Sequence, residues 1–252
     1  LVITISEYTR RTFLDAFSID PSRVHVVPNG VSSAFRPASD AAVEAGLRQL
    51  SLPGPYVLYV GTRERRKNLT GLLQIFSQVA AADSGMSLVV VGSRPWEEAR
   101  AVHGVHAWTG RELEDEIAAR GLTARVRILG RVTGDDLRIL YSGADCFVFP
   151  SLFEGFGLPV LEAMACGCPV VGSDRSAVPE VVGDAGFVVD PEDSVSFANA
   201  VLHVTSDSDA WRKSAAAGLA RSARFTWTRT ASMTWDVYRA AADRRGTPAA
   251  RK

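Results

Sequence analysis

Short runs of Val, Ile, Leu, Phe and Tyr recur along this chain, separated by longer stretches with apolar residues every three or four positions. The runs at 1–5, 24–27, 56–60, 87–92, 126–130, 146–150, 169–172 and 187–189 read as strands. Several are continuously apolar rather than alternating, as strands become when both of their faces are covered. Helical spacing falls at 9–17, 69–82, 112–120, 135–142, 158–166, 195–205 and 210–223, with a last helix from 230 to about 242 and a basic tail beyond. Strand and helix alternate, which predicts an α/β fold: a Rossmann-like parallel sheet with helices on both faces. Such sheets bind ligands beyond the carboxyl ends of their strands, so the loops after Val60, Gly92, Gly130 and Pro150 become the places to search.

Val27-Pro28-Asn29-Gly30 is a turn signal after a strand and starts a linker; 34–55 reads as the entry into the main domain. The expected organisation is a remnant of a preceding domain with its linker at 1–33, the main domain at 34–225, and a C-terminal helix and tail at 226–252. Leu1 opens in mid-strand, so the reading is of a chain whose first domain is missing.

The stretch from Ser151 to Pro169 narrows the chemistry most. It follows a buried strand, turns through Gly155 and Gly157, and enters a helix with Pro159 in its first turn. Bare N–H groups there, at the positive end of a helix dipole, form a place for an anion such as a diphosphate. Glu154 in the loop and Glu162 one helical turn further on suit the hydroxyls of a ribose or a hexose. The alternative is two ordinary acids near a helix start. A second signal follows the strand at 56–60: Gly61, Thr62 and a basic run of Arg63, Arg65, Arg66 and Lys67, with Asn68 as helix cap. Arg66 and Lys67 next to that cap can bind phosphate oxygens without a divalent metal, although a solvated charged loop has the same composition. After the strand end at Gly130, a backbone amide or carbonyl in 129–132 could read a base edge with Val132 packing on the ring, or the stretch could simply form a strand-to-helix loop, with a helix capped near Thr133 or Asp135. Glu180 reads as the acid of a short helix start.

Charge and composition then exclude several classes. Lys plus Arg equal Asp plus Glu at 28 each, so no global field draws in nucleic acid, and 46% apolar with 22% charged residues suits a packed core. His25, His103, His106 and His203 form no ligand set, and Cys146, Cys166 and Cys168 read as small core residues of a reducing compartment; no metal is expected. No run is long enough to span a bilayer, which leaves at most peripheral membrane contact.

The chain resembles the group 1 (family 4) retaining glycosyltransferases, in particular their bacterial mannosyltransferase-like branch. The matching phrases are VVPNGV at 26–31, YVGTRERRKNLTGLL at 59–73, ILGRVTGDDLRILYSGADCFVFPSLFEGFGLPVLEAMACGCPVV at 128–171 and AVPEVVGDAG at 177–186; FTWTRTASMTWDVYRAA at 225–241 resembles the family's last helix. The resemblance implies the C-terminal half of a GT-B enzyme, two facing Rossmann-like domains with the donor held mainly by the second. It implies hexose transfer, with mannose favoured, from a nucleoside diphosphate sugar such as GDP-mannose to a growing glycan or lipid-linked saccharide. It also implies a cytoplasmic enzyme, at most peripheral to the inner face of the membrane, that needs no metal or other cofactor. By the same resemblance Glu162 binds the ribose hydroxyls and Glu154 the sugar hydroxyls. Gly61, Thr62 and the amides of Gly155, Phe156, Gly157 and Leu158 line the sugar and diphosphate, Arg66 and Lys67 neutralise the leaving group, and Arg131 and Val132 bracket the base. A residue that the family places in its first domain has no counterpart here, so transfer by this chain alone is not expected. The readings kept beside it are a non-catalytic nucleotide-sugar-binding module and a GT-B-type epimerase or phosphorylase.

Overall fold

The structure is a computed structural model that describes residues 1–52, 54–92 and 112–246, with side chains to 243. It has a small N-terminal unit and a large sheet. In the small unit β1 (Val2–Thr4) pairs in parallel with β2 (Val24–Val26), Val2 opposite Val24, and α1 (Glu7–Ala16) crosses between them. Ser6 caps α1 by accepting the Thr9 N–H, which closes one of the donors that a helix start leaves open.

The large sheet is parallel, with strand order β5-β4-β3-β6-β7-β8. Its strands are β3 (Tyr56–Val60), β4 (Ser87–Val91), β5 (Val126–Gly130), β6 (Cys146–Phe149), β7 (Val170–Ser173) and β8 (Phe187–Val189). The connecting helices are α3 (Leu69–Ala82), α4 (Glu112–Ala119), α5 (Gly134–Gly143), α6 (Leu158–Ala165), α7 (Val178–Val182) and α8 (Ser194–Ser206). Strands such as β6 are buried along their whole length because helices cover both faces. Leu58, Tyr59, Leu73, Phe147, Phe149 and Phe197 form the centre of the core. The fold predicted from apolar runs is the one observed.

From β3 the chain moves outward through β4 and β5, and from β6 it moves the opposite way through β7 and β8. The order therefore reverses between β3 and β6, and the loops leaving their carboxyl ends face a shared crevice. These are the basic loop at 61–68 and the glycine loop at 150–157.

One helix is absent from the sequence reading. Residues 34–55, taken as an entry segment, contain α2 (Asp40–Gln49), capped by Ser39 and packed against α5. Gly46 in its middle and its sparse apolar positions weaken the helical signal. The last helices are α9 (Ser208–Ser222) and α10 (Trp227–Gly246), so the final helix starts three residues earlier than expected. The loop expected after Gly92, together with His103 and His106, lies outside the described residues. Among the described residues no helix is long and apolar enough to cross a membrane. All three cysteines are buried and unpaired, filling core positions.

The chain end returns to the linker. Val31 N–H donates to the Phe225 carbonyl at 3.0 Å, and the Thr230 hydroxyl donates to the Pro28 carbonyl at 2.7 Å. Gly30 makes this approach possible, since a Cβ there would stand 2.2 Å from the Trp227 nitrogen and 2.5 Å from the Thr226 carbonyl carbon. Backbone cannot yield as a flexible side-chain tip can. Gly30→Ala is expected to force α10 off the linker and cost about 2 kcal/mol or more, read as a lower midpoint in denaturant unfolding.

Candidate functional site

The basic loop is shaped by Asn68. This residue adopts a left-handed backbone (φ 54°) and caps α3 by accepting the Gly71 N–H at 3.1 Å. Its amide nitrogen donates to the carbonyls of Pro150 at 3.1 Å and Pro191 at 3.2 Å, which ties the loop to the end of β6. Leu152 N–H adds a bond to the Arg66 carbonyl at 2.8 Å. The Asn68 side-chain amide and one backbone bond thus join the two loops before any charge is considered.

On that frame Lys67, Arg66 and Glu154 meet. Lys67 Nζ donates to Glu154 Oε1 at 2.6 Å, and Arg66 reaches Glu154 Oε2 at 3.3 Å. Lys67 and Glu154 are buried, at 6% and 7% exposure, and the ammonium also stands 5.1 Å from the centre of the Phe149 ring. A buried ion pair of this kind is held by geometry, because removal of either partner leaves an uncompensated charge. Arg66 shares itself with Glu64, whose carboxylate accepts its Nε at 2.6 Å and the Thr62 hydroxyl at 2.6 Å. Burial pushes the Glu64 carboxyl up, but the bonds from Thr62 and Arg66 and the charges of Arg66 and Lys67 outweigh it and hold it below the usual range. Glu64 was not anticipated; an acid inside a basic run was its only signal.

The glycine loop continues from Glu154 to Gly157, the N-cap of α6, which sits at φ 112° and offers no side-chain cap. That backbone conformation suits glycine and strains any other residue. The N–H groups of Gly155, Phe156, Gly157 and Leu158 meet no acceptor among the described residues. They line a cleft of about 480 Å³ with Ile5, Asn29, Arg66, Phe153, Glu154 and Pro159. An open helix start beside a guanidinium is a setting in which anionic oxygens are stabilised.

The other expected site residues are not among those that line this cleft. Glu162 is half-buried on α6 and accepts a hydrogen bond from the Tyr141 hydroxyl of α5 at 3.1 Å. Burial pushes its carboxyl up to about 7, partly offset by that bond, while burial and then the charge of Glu162 keep the Tyr141 phenol protonated. In the structure the carboxylate of Glu154 is engaged by Arg66 and Lys67, and that of Glu162 by Tyr141. Gly61 donates its N–H to the Val91 carbonyl at 2.9 Å, Arg131 is exposed and Val132 packs against the core edge. Thr133, not Asp135, caps α5, in a capping box with Asp136. Among the described residues no group of three or more His, Cys, Asp or Glu gathers as a metal site requires.

A sequence model of the glycosyl transferases of group 1 matches residues 54–207. O-antigen chain mannosyltransferase B of Escherichia coli is 38% identical over 245 residues, which cover 95% of this chain and 60% of that protein. D-inositol 3-phosphate glycosyltransferase of Salinispora tropica is 37% identical over 238 residues, covering 89% of this chain and 48% of that protein. The chain thus spans about half to three fifths of the curated relatives it matches. Sucrose-phosphate synthase from Thermosynechococcus elongatus superimposes with a TM-score of 0.78 at 28% identity, over 96% of this chain and 58% of that one. The Anabaena protein HepE, solved with UDP-glucose, shares the fold with a TM-score of 0.81 at 23% identity, over 96% of this chain and 64% of that one.

Proposed function

This chain belongs to the glycosyl transferases of group 1, and we propose that it is the nucleotide-sugar-binding part of a retaining hexosyltransferase, with a guanosine-linked mannose as the favoured donor. The acceptor is a hydroxyl of a growing glycan or lipid-linked saccharide. Similarity to an O-antigen mannosyltransferase supports the choice of sugar. The observation that carries the reading is the meeting of Arg66 with the open amides at the start of α6, around one cleft at the strand-order reversal.

In this reading the diphosphate lies against the amides of Gly155, Phe156, Gly157 and Leu158, and Arg66 and Lys67 stabilise the negative charge that develops as it departs. Glu154 has two tasks. It holds both cations in place before the donor arrives, and it offers its oxygens to the sugar hydroxyls. Glu162, one turn further along α6, takes the ribose hydroxyls, and Arg131 with Val132 brackets the base. Cations and amides do here what a divalent metal does in other sites, so none is invoked.

Calorimetric titration of this chain with GDP, UDP, their mannose and glucose conjugates, and the free sugars tests the reading. A nucleoside diphosphate should bind, its sugar conjugate should bind too, and the free sugars should not. Guanosine compounds are expected to bind more tightly than uridine ones. Absence of heat with every nucleotide, under conditions where the chain is folded, would remove the proposal.

A further inference from the structure

Glu180 stands in the first turn of α7, yet its carboxylate leaves its own helix. Oε2 accepts the Glu7 N–H at 2.8 Å and Oε1 the Tyr8 N–H at 2.6 Å. These are donors that α1 cannot satisfy internally, and a carboxylate there also meets the positive end of the α1 dipole. The contact spans 173 positions of sequence.

Three further contacts fasten α1 and its cap to the glycine loop. The hydroxyls of Ser6 and Thr9 both donate to the Gly155 carbonyl, at 2.8 and 3.2 Å. The ring of Tyr8 meets that of Phe153 edge-on, with centres 5.8 Å apart. The segment that carries Glu180 grips the same loop from the other side. Glu154 N–H donates to the Ser176 hydroxyl at 2.8 Å, and Ala177 N–H donates to the Glu154 carbonyl at 3.4 Å. Ser176 holds this position with φ at 56°, a conformation unfavourable for a residue with a side chain. One short stretch, 176–180, therefore holds the loop on one flank and the start of α1 on the other.

We propose that Glu180 is a positioning residue that seats α1 on the glycine loop, so that the order of the loop, and with it donor affinity, depends on α1 being docked. The link to donor affinity rests on the nucleotide-sugar reading above; the docking itself does not. Neither side of the clamp contributes a side chain to the open amides. Glu180 acts through α1 and through the backbone of Glu154, Gly155 and Ala177.

Hydrogen exchange on this chain provides the test, with Glu180→Gln as the first variant. Glutamine keeps the size but loses the charge and one acceptor. The amides of Glu7 and Tyr8 should exchange on the order of tenfold faster. The hydrogen-bonded loop amides of Leu152 and Glu154 should follow by several-fold, while those of β3 and β6 stay unchanged. Thr9→Val removes its bond to Gly155 and the acceptor it offers the Ser6 hydroxyl, while the Thr9 N–H that Ser6 caps and the Ser6 bond to Gly155 are kept. Because both changes act through one seat, the double variant should open the loop no further than Glu180→Gln alone. Loop amides that stay protected while Glu7 and Tyr8 open would reduce Glu180 to a helix cap and overturn the proposal, as would additive effects in the double variant. Titration of Glu180→Gln with GDP supplies the second readout, and a several-fold weaker binding is expected. If the parent chain binds no nucleotide, the functional reading fails while the exchange result still decides the docking.

Discussion

Lys67→Met in the intact enzyme should lower turnover by about two to three orders of magnitude, the scale seen when a preorganised group facing developing negative charge is removed. The ammonium is buried beside the Phe149 ring and held at 2.6 Å from Glu154, so its position is set before any substrate binds. The same burial gives the change a second effect. Glu154 would keep only Arg66, at 3.3 Å, and the chain should lose roughly 3 kcal/mol of stability as a buried carboxylate is left partly unpaired. These effects separate in a double variant. Adding Glu154→Gln removes the stranded charge and should restore most of the stability without restoring turnover. Denaturant unfolding of this chain and kcat of the full-length enzyme make the comparison. Turnover near the parent value in Lys67→Met would show that Lys67 merely anchors Glu154.

The second large effect is a dependence on pH that Glu162→Gln should abolish. Burial raises the Glu162 carboxyl to about 7 in the folded chain, against 4.5 as its ordinary value. Between those values the folded state holds a proton that the unfolded state has released. Stability is therefore highest below about 4.5, falls as pH rises, and has lost this contribution above about 7. A shift of this size corresponds to roughly 3 kcal/mol. Subtracting the Glu162→Gln profile from the parent profile isolates this group from the other carboxylates. If Glu162 also accepts the ribose hydroxyls, donor affinity should run the opposite way and strengthen as pH passes upward through 7. A parent and variant with parallel unfolding profiles from pH 5 to 8 would show that the carboxyl is not raised.

The elements of the sheet were legible because their signals are local. Continuous apolar runs marked β3, β4 and β6, and the caps Ser6, Asn68 and Thr133 stand where small polar residues precede helical spacing. Helix α2 escaped because Gly46 and a thin apolar stripe gave a pattern close to that of a loop. The site was legible in its parts and not in its pairings. Which loops matter follows from the strand ends, but the partner of each charge is a tertiary fact. Lys67 and Glu154 lie 87 positions apart and are joined by the order of strands rather than by any spacing. Tyr141 draws Glu162 toward α5, and only the packing of α5 on α6 reveals that. Glu180 is the plainest case: its place at a helix start was visible, but the helix that it caps is not its own.

The burial of Cys146, Cys166 and Cys168 bears on how the chain can be handled. Desolvation drives all three thiols up, Cys166 to about 12 and the others further, so the folded chain presents no thiolate to solvent. A single cysteine introduced on the surface of α1 or α7 would be the one reactive handle on the molecule. Fluorophores or spin labels could then be attached across the clamp without first stripping the native sulfur atoms from the core.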